Sequence, residues 1–212
     1  MGLTPQISPN RDPRLKPWCD FVLGDSPFSV CFVMNIISWN CRGAGGKTFP
    51  TLIRDIRREY NTNFIILLET YINGSCGATI RDKIGFDNSF IVEANGHSEG
   101  IWCLWDSGSW KVDILEHNHQ IVHVRLTSNN ATTWLLSVVY GNPQRPNRRS
   151  LWTSLRSLAA NINLHWCILG YFNALLHDYE RQRGTRSANS GACSDFQSCV
   201  SDCRLVDLGY MG

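Results

Sequence analysis

Phe64-Ile-Ile-Leu-Leu68 is an unbroken apolar run, and the next residue, Glu69, is a carboxylate. Such a run reads as a β-strand covered on both faces. A buried strand gains nothing from a terminal carboxylate unless something pairs with it, so Glu69 is a candidate site residue. Upstream, Asn35-Ile-Ile-Ser-Trp-Asn40 reads as a second strand and Cys41-Arg-Gly-Ala-Gly-Gly46 as a glycine-rich turn. A helix is predicted from about Lys47 to Tyr60, with Leu52, Ile53, Ile56 and Tyr60 on one face. The opening is therefore strand, helix, strand.

Downstream the pattern changes to short β-type segments: Ser89–Glu93, Gly100–Trp105, Trp110–Glu116, Gln120–Leu126 and Thr133–Tyr140. Gly, Asn, Ser and Asp separate them, which predicts an antiparallel meander. After the loop Gly141–Asn147, a helix near Arg149–Ile162 lines up Leu151, Leu155, Leu158 and Ile162. Trp166-Cys-Ile-Leu169 is another buried strand, leading into Gly170-Tyr-Phe-Asn173. A last helix at about Asn189–Arg204 turns Phe196, Cys199, Val200 and Cys203 inward. Helix-linked strands at both ends of a meander predict an α/β (α+β) sandwich. Asn40, Glu69, Tyr140 and Asn173 stand at strand ends, where such sheets gather their sites at one rim.

Composition narrows the class. Over 212 residues, 20 basic minus 18 acidic side chains leave a net charge of +2, so any basic surface must be local. With 43% hydrophobic and 18% charged residues, the chain is a folded domain rather than a coiled coil, collagen or disordered tail. Nine cysteines, an odd count without a Cys-x-x-Cys, argue for buried thiols in a reducing compartment, nuclear or cytoplasmic rather than secreted. The apolar stretch Phe28–Ile37 is too short to span a bilayer, which argues against a membrane partner. Residues 1–33, with Pro5, Pro9, Pro13 and Pro17, read as a flexible leader, and residues 34–212 as the folded domain.

Several motifs have bland readings. Gly45-Gly-Lys-Thr48 lacks the first glycine of a phosphate-binding P-loop, because position 41 is Cys. His97-Ser-Glu99 has no Pro-Cys-x-x-Cys after it and fails as a zinc deaminase signature. His117, His119 and His123 read as a solvated edge rather than a zinc site. Cys193, Cys199 and Cys203 share a helix face and read as small core residues. Arg145, Arg148 and Arg149, with Arg181, Arg183 and Arg186, form two basic loop clusters that are candidates for phosphate-backbone contact.

Ile36-Ile-Ser-Trp-Asn-Cys-Arg-Gly43, Leu67-Leu-Glu-Thr70, Val138-Val-Tyr-Gly-Asn142 and Ile168-Leu-Gly-Tyr-Phe-Asn-Ala174 occur in this order. Together they resemble the endonuclease/exonuclease/phosphatase superfamily, and more narrowly the apurinic-endonuclease-like domain of plant LINE-type retrotransposons. The resemblance runs from Met34 to the last residue. It implies a four-layer α/β/β/α sandwich with two mixed sheets, and a phosphodiesterase that nicks DNA using Mg²⁺, with Mn²⁺ as the alternative cation. Glu69 and Asn40 would hold the metal, and Tyr140 and Asn173 would bind phosphate and orient an aspartate. It further implies a monomer and a parent polyprotein carrying a reverse transcriptase.

Two departures qualify this. The family's aspartate, in Gly-Asp-Phe-Asn, is here Tyr171, a phenol that is neutral at pH 7 and cannot stand in for a carboxylate. The family's C-terminal Ser-Asp-His does not occur; Ser201-Asp-Cys203 lies in the last predicted helix and lacks the histidine. The expectation is a truncated, degenerate nuclease domain, incomplete at its C-terminus. Alternatives are a non-catalytic nucleic-acid-binding module that uses the arginine loops, and a phosphatase of the same superfamily.

Overall fold

The computed structural model describes residues 15–16, 21–23, 36–94, 100–177 and 193–208. Its first sheet is built on β4 (Phe64–Leu68), the unbroken apolar run. Parallel to it lies β3 (Ile36–Asn40), and antiparallel to it β6 (Ile101–Trp105), which pairs in turn with β5 (Asn88–Val92). The second sheet runs β10 (Trp166–Tyr171), β9 (Thr133–Tyr140), β8 (Ile121–Ser128) and β7 (Trp110–His117), with β10 and β9 parallel and the rest antiparallel.

Period-two alternation sorts each strand between layers. Phe64, Ile66 and Leu68 meet Val122, Val124, Leu136, Val138 and Leu169 between the sheets. Ile65 and Leu67 turn outward onto α1 (Phe49–Glu59) and α2 (Gly74–Ile84). On the opposite outer face, Ile121, Leu135 and Ile168 pack under α3 (Arg149–Ala159) and α4 (Ser194–Asp202). The result is the expected α/β/β/α sandwich with two mixed sheets.

Several expectations need correction. The middle strands do not form one meander: β5 and β6 join the first sheet, and β7 to β9 the second. The crossing falls in the turn after Trp105, where α1 is tied down by Arg57 Nη2, which donates to both Asp106 carboxylate oxygens at 2.8 and 2.6 Å. Leu52, placed on the buried face of α1, is 43% exposed; Phe49, Pro50, Ile53 and Ile56 form that face instead. Helix α2 was not anticipated, because Gly74 and Gly77 dilute its helical signal. Within the stretch read as a leader, β1 (Leu15–Lys16) pairs with β3, and β2 (Phe21–Leu23) lies between β10 and β11 (Leu205–Asp207). Unpaired strand edges accept such additions readily.

Of the three histidines, His117 and His119 are exposed as expected, but His123 is buried at 4% exposure under the helical layer. Its Nδ1 lies 2.8 Å from Ser137 Oγ, which also accepts the Trp166 indole N–H at 2.9 Å. Two amides of the glycine-rich turn are committed within the fold: Gly43 N–H donates to the Glu69 carbonyl and Ala44 N–H to the Thr70 carbonyl. All seven described cysteines are free thiols. Among the described residues no helix is long and apolar enough to cross a membrane. His97-Ser-Glu99 lies outside the described residues.

Two glycines let the β9 and β10 ends approach each other. A Cβ on Gly170, whose φ is +144°, would sit 1.9 Å from the Val139 carbonyl oxygen. A Cβ on Gly141 would sit 2.1 Å from that of Phe172. Backbone, not a yielding side chain, blocks both positions. Gly170→Ala is expected to destabilise the fold by roughly 4 kcal/mol or more, the range of strain plus steric overlap. Denaturant unfolding would check this, and a loss under about 1 kcal/mol would contradict the packing described.

Burial depresses the His123 imidazole pKa from 6.5 to about 4. The unfolded chain therefore takes up a proton near pH 6.5 that the folded chain refuses until about pH 4. Stability present above pH 6.5 should fall as the pH drops towards 4, by on the order of 3 kcal/mol from this group alone. Unfolding free energies measured across that window in the parent chain and in His123→Gln should differ in slope. Identical slopes would show that the side chain is not buried as described.

Candidate active site

Parallel pairing fixes where the polar strand ends meet. β3 and β4 run together in one sheet, and β9 and β10 in the other. Their C-terminal ends emerge at one rim, the location that parallel strands favour for ligands. Asn40 ends β3, Glu69 follows β4, Tyr140 ends β9 and Tyr171 ends β10.

The Glu69 carboxylate is 8% exposed and would be costly to bury unpaired. It is met by donors from both sheets. Asn40 Nδ2 donates to Oε1 at 2.5 Å, and Tyr140 O–H reaches the same oxygen at 3.1 Å from the opposite sheet. Tyr71 O–H donates to Oε2 at 3.1 Å. Charge-assisted bonds of this kind are the strong ones.

The backbone here is strained in a localised way. Glu69 has φ +57° and Tyr71 φ +54°, while across the rim Asn173 has φ +51°. Non-glycine residues rarely adopt this left-handed region, and such strain concentrates at functional sites. Neighbouring bonds hold it: Cys41 N–H donates to the Leu68 carbonyl at 3.0 Å and Gly43 N–H to the Glu69 carbonyl at 2.7 Å. The Cys41 thiol donates to the Leu68 carbonyl at 3.2 Å, and burial, helped by the nearby Glu69 charge, raises its pKa to about 11. Cys41 therefore stays a thiol and is no nucleophile at neutral pH.

The remaining sequence-derived site residues divide. Asn173 is at the rim, but its amide nitrogen donates to the Gly141 carbonyl at 2.7 Å, bracing the residue after Tyr140 rather than meeting Glu69. Tyr171 is 38% exposed and its ring stacks on Tyr140, centroids 6.4 Å apart. Arg148 is no surface contact: it is 8% exposed, and Nη1 donates to the Asn142 and Pro143 carbonyls at 3.0 and 3.1 Å. Nη1 thereby braces the loop after β9, while the buried Nε finds no hydrogen-bond partner among the described residues. Arg145 is exposed and lies 3.7 Å from Asp195, and Arg149 is exposed at the start of α3. Arg181, Arg183 and Arg186 lie outside the described residues.

Two contributors were not anticipated. Tyr71 stands two residues after Glu69, a spacing that could have drawn attention to it. Gln120, 2% exposed, accepts from Asn142 N–H at 2.8 Å and donates to the Asn147 carbonyl at 3.1 Å, so it clamps the same loop as Arg148. Nothing in the sequence distinguishes that glutamine from a surface one.

A divalent cation fits this donor set. Asn40 Oδ1 is buried and finds no hydrogen-bond partner among the described residues, beside a carboxylate that is already fixed. Hard oxygen donors of this kind suit magnesium, which keeps several waters and needs only one or two carboxylates. Among the described residues no group of three or more His, Cys, Asp or Glu gathers for a metal. Any such ion would rest on Glu69 and Asn40.

The chain matches no protein-family model and no curated protein. Solved structures do match. The AP endonuclease LMAP of Leishmania major superposes with a TM-score of 0.57 at 15% identity, covering 79% of this chain and 66% of that one. The endonuclease domain of TRAS1, a telomere-specific non-LTR retrotransposon, superposes with a TM-score of 0.50 at 11% identity, covering 79% of this chain and 69% of that one. This chain thus matches about two thirds of each structure's length. At such identity the likeness speaks for architecture alone: this chain shares the two-sheet α/β sandwich of those structures.

Proposed function

We propose that residues 34–212 are a phosphodiesterase domain of the endonuclease type, acting on DNA and derived from a LINE-type retrotransposon. The observation that supports this best is the Glu69 carboxylate: buried, in left-handed backbone, and bonded by Asn40, Tyr71 and Tyr140 from two sheets. A buried charge held so deliberately suits a cation and a phosphoryl oxygen. When bound at Glu69 and Asn40, a magnesium ion would polarise that oxygen and lower the pKa of a coordinated water.

The chain's own groups supply the rest. Tyr140 and Tyr71 aim hydroxyls at the place where negative charge gathers, and a phosphate displacing either bond would find a positioned donor. Asn173 and Gly141 brace the end of β9 so that Tyr140 stays aimed. Among the described residues, no second carboxylate bonds into the rim to take or give a proton. At the position where the resemblance places aspartate, Tyr171 presents a ring instead. Losing one positioned acid–base group typically costs about 10²–10⁴ in rate. The proposed enzyme is accordingly impaired. The binding-module reading gains from the same observation, because the substitution leaves the rim intact while removing the proton carrier.

A plasmid-nicking assay with magnesium tests this. The parent chain should nick feebly, and Tyr171→Asp should nick on the order of 10²-fold faster, within the range for an acid–base group. EDTA should abolish the gain, as should Glu69→Gln in the same background. A Tyr171→Asp chain that folds and gains no metal-dependent nicking would sink the phosphodiesterase reading. Robust turnover by the parent chain would sink its impairment.

A further inference from the structure

Three tyrosines form a continuous chain around one carboxylate. Tyr71 bonds Glu69 Oε2, Tyr140 bonds Oε1, and the ring of Tyr171 stacks on that of Tyr140 with an interplanar angle of 27°. Their burial differs sharply. Tyr140 is 3% exposed and belongs to the core between the sheets, whereas Tyr71 is 52% and Tyr171 38% exposed. The two outer rings are among the few large hydrophobic side chains that the described surface exposes, and both belong to this rim.

Neither outer ring is a loose surface side chain. Tyr71 is tethered by its hydroxyl to a buried carboxylate, and its backbone is fixed in the left-handed region. It also lies near Gly43, where a Cβ would come within 3.9 Å of the ring's Cδ2. Tyr171 gives one face to Tyr140 and is carried on the last residue of β10, where Gly141 N–H donates to its carbonyl at 2.8 Å. Aromatic surface that is both exposed and immobilised has already lost the entropy that binding would otherwise cost. Arg42, two residues after Asn40 in the loop that follows β3, is exposed and adds a cation to the same loop.

We infer that Tyr71 and Tyr171 form a stacking platform for unpaired bases, so that the rim binds single-stranded or locally unpaired nucleic acid in preference to intact duplex. An aromatic face offers nothing to a base whose two faces are already covered in a helix, but it stacks on any base that is free. The Glu69 carboxylate is engaged by the hydroxyl ends of Tyr71 and Tyr140, and exposed Arg42 supplies a counter-charge for a nucleic-acid backbone. The inference deepens the proposed function, since it names the form of nucleic acid that the same rim takes. It explains, too, how aspartate can give way to tyrosine at position 171 without collapse of the site: the new ring finds a partner in Tyr140 and keeps its other surface in solvent.

The test needs no turnover. A deoxyoligonucleotide carrying 2-aminopurine, the same strand annealed to its complement, and the ribose version of the strand are titrated with the full chain in EDTA. Fluorescence anisotropy reads affinity and aminopurine quenching reads stacking. Tighter binding of a single strand than of the duplex, with quenching, is expected. Tyr171→Ala should weaken single-strand binding roughly 5- to 100-fold and relieve the quenching, the range for loss of one stacked base. Tyr171→Phe should stay within about twofold of the parent, because the face and not the hydroxyl does the stacking. Tyr71→Ala should weaken binding similarly. The inference is overturned if duplex binds as tightly as either strand, if no strand binds, or if the folded Tyr171→Ala chain binds like the parent. Metal-dependent nicking by Tyr171→Asp would leave the phosphodiesterase reading standing in each of those cases, and its absence would not disturb a positive stacking result.

Discussion

The hydrogen bond from Tyr140 to Glu69 joins residues 71 apart in sequence and belongs to both sheets at once. Sandwich sheets packed only by Leu, Ile and Val can slide, because apolar contact is non-directional. A carboxylate at 8% exposure cannot, since it must keep its donors or bear the cost of an unpaired buried charge. Sliding one strand by a single residue would shift it by about 3.3 Å, more than enough to break a bond of this kind. The register between the sheets is thereby tied to the geometry of the site. Strands β3 and β9, otherwise linked through apolar packing, gain a polar checkpoint through Asn40 and Tyr140.

Around that bond the rim is assembled before any ligand arrives. Left-handed backbone at Glu69, Tyr71 and Asn173 stores strain, and the surrounding hydrogen bonds of Cys41, Gly43 and Gly141 over-determine it. The loop after β9 is locked from beneath by Arg148 and Gln120, both buried and both bonded to backbone. Such placement by secondary contacts is what holds a constellation within reach of a useful geometry. It also accounts for an arginine lying deep in a loop that its sequence suggested was open to solvent.

Much of the fold was legible because hydrophobic period and layer coincide. Phe64–Leu68 and Thr133–Tyr140 are strands with the expected bounds, and Glu69 stood out because a buried run ended on a charge. What escaped had physical causes. The sheet to which a strand belongs is set by long-range packing, so five similar segments read as one meander although they divide two and three. Helix α2 carries two glycines that only its contact with the first sheet offsets. Arg148 and His123 look solvated in sequence, yet both are buried, Arg148 with its Nη1 on two backbone carbonyls and His123 with its Nδ1 beside Ser137. For Tyr71 the one signal in the sequence is its place two residues after Glu69, and its role shows only in the hydroxyl bonded to that carboxylate.

Position 171 carries the sharpest functional consequence. A second carboxylate there would leave two like charges close together at the rim, an arrangement that repels itself unless a cation or a proton intervenes. With a phenol in its place, Glu69 is the one carboxylate bonded at the rim among the described residues, and three donors already satisfy it. The fold thus gains freedom from the ion: nothing in the packing of Tyr140, Tyr171 and Glu69 demands one. The attraction that would draw a divalent cation in is correspondingly weaker, since it scales with the charge gathered around it. On the proposed reading, this one side chain moves the balance of the site from electrostatic grip on a metal and its phosphate towards contact through aromatic surface, on a scaffold whose strand ends position both.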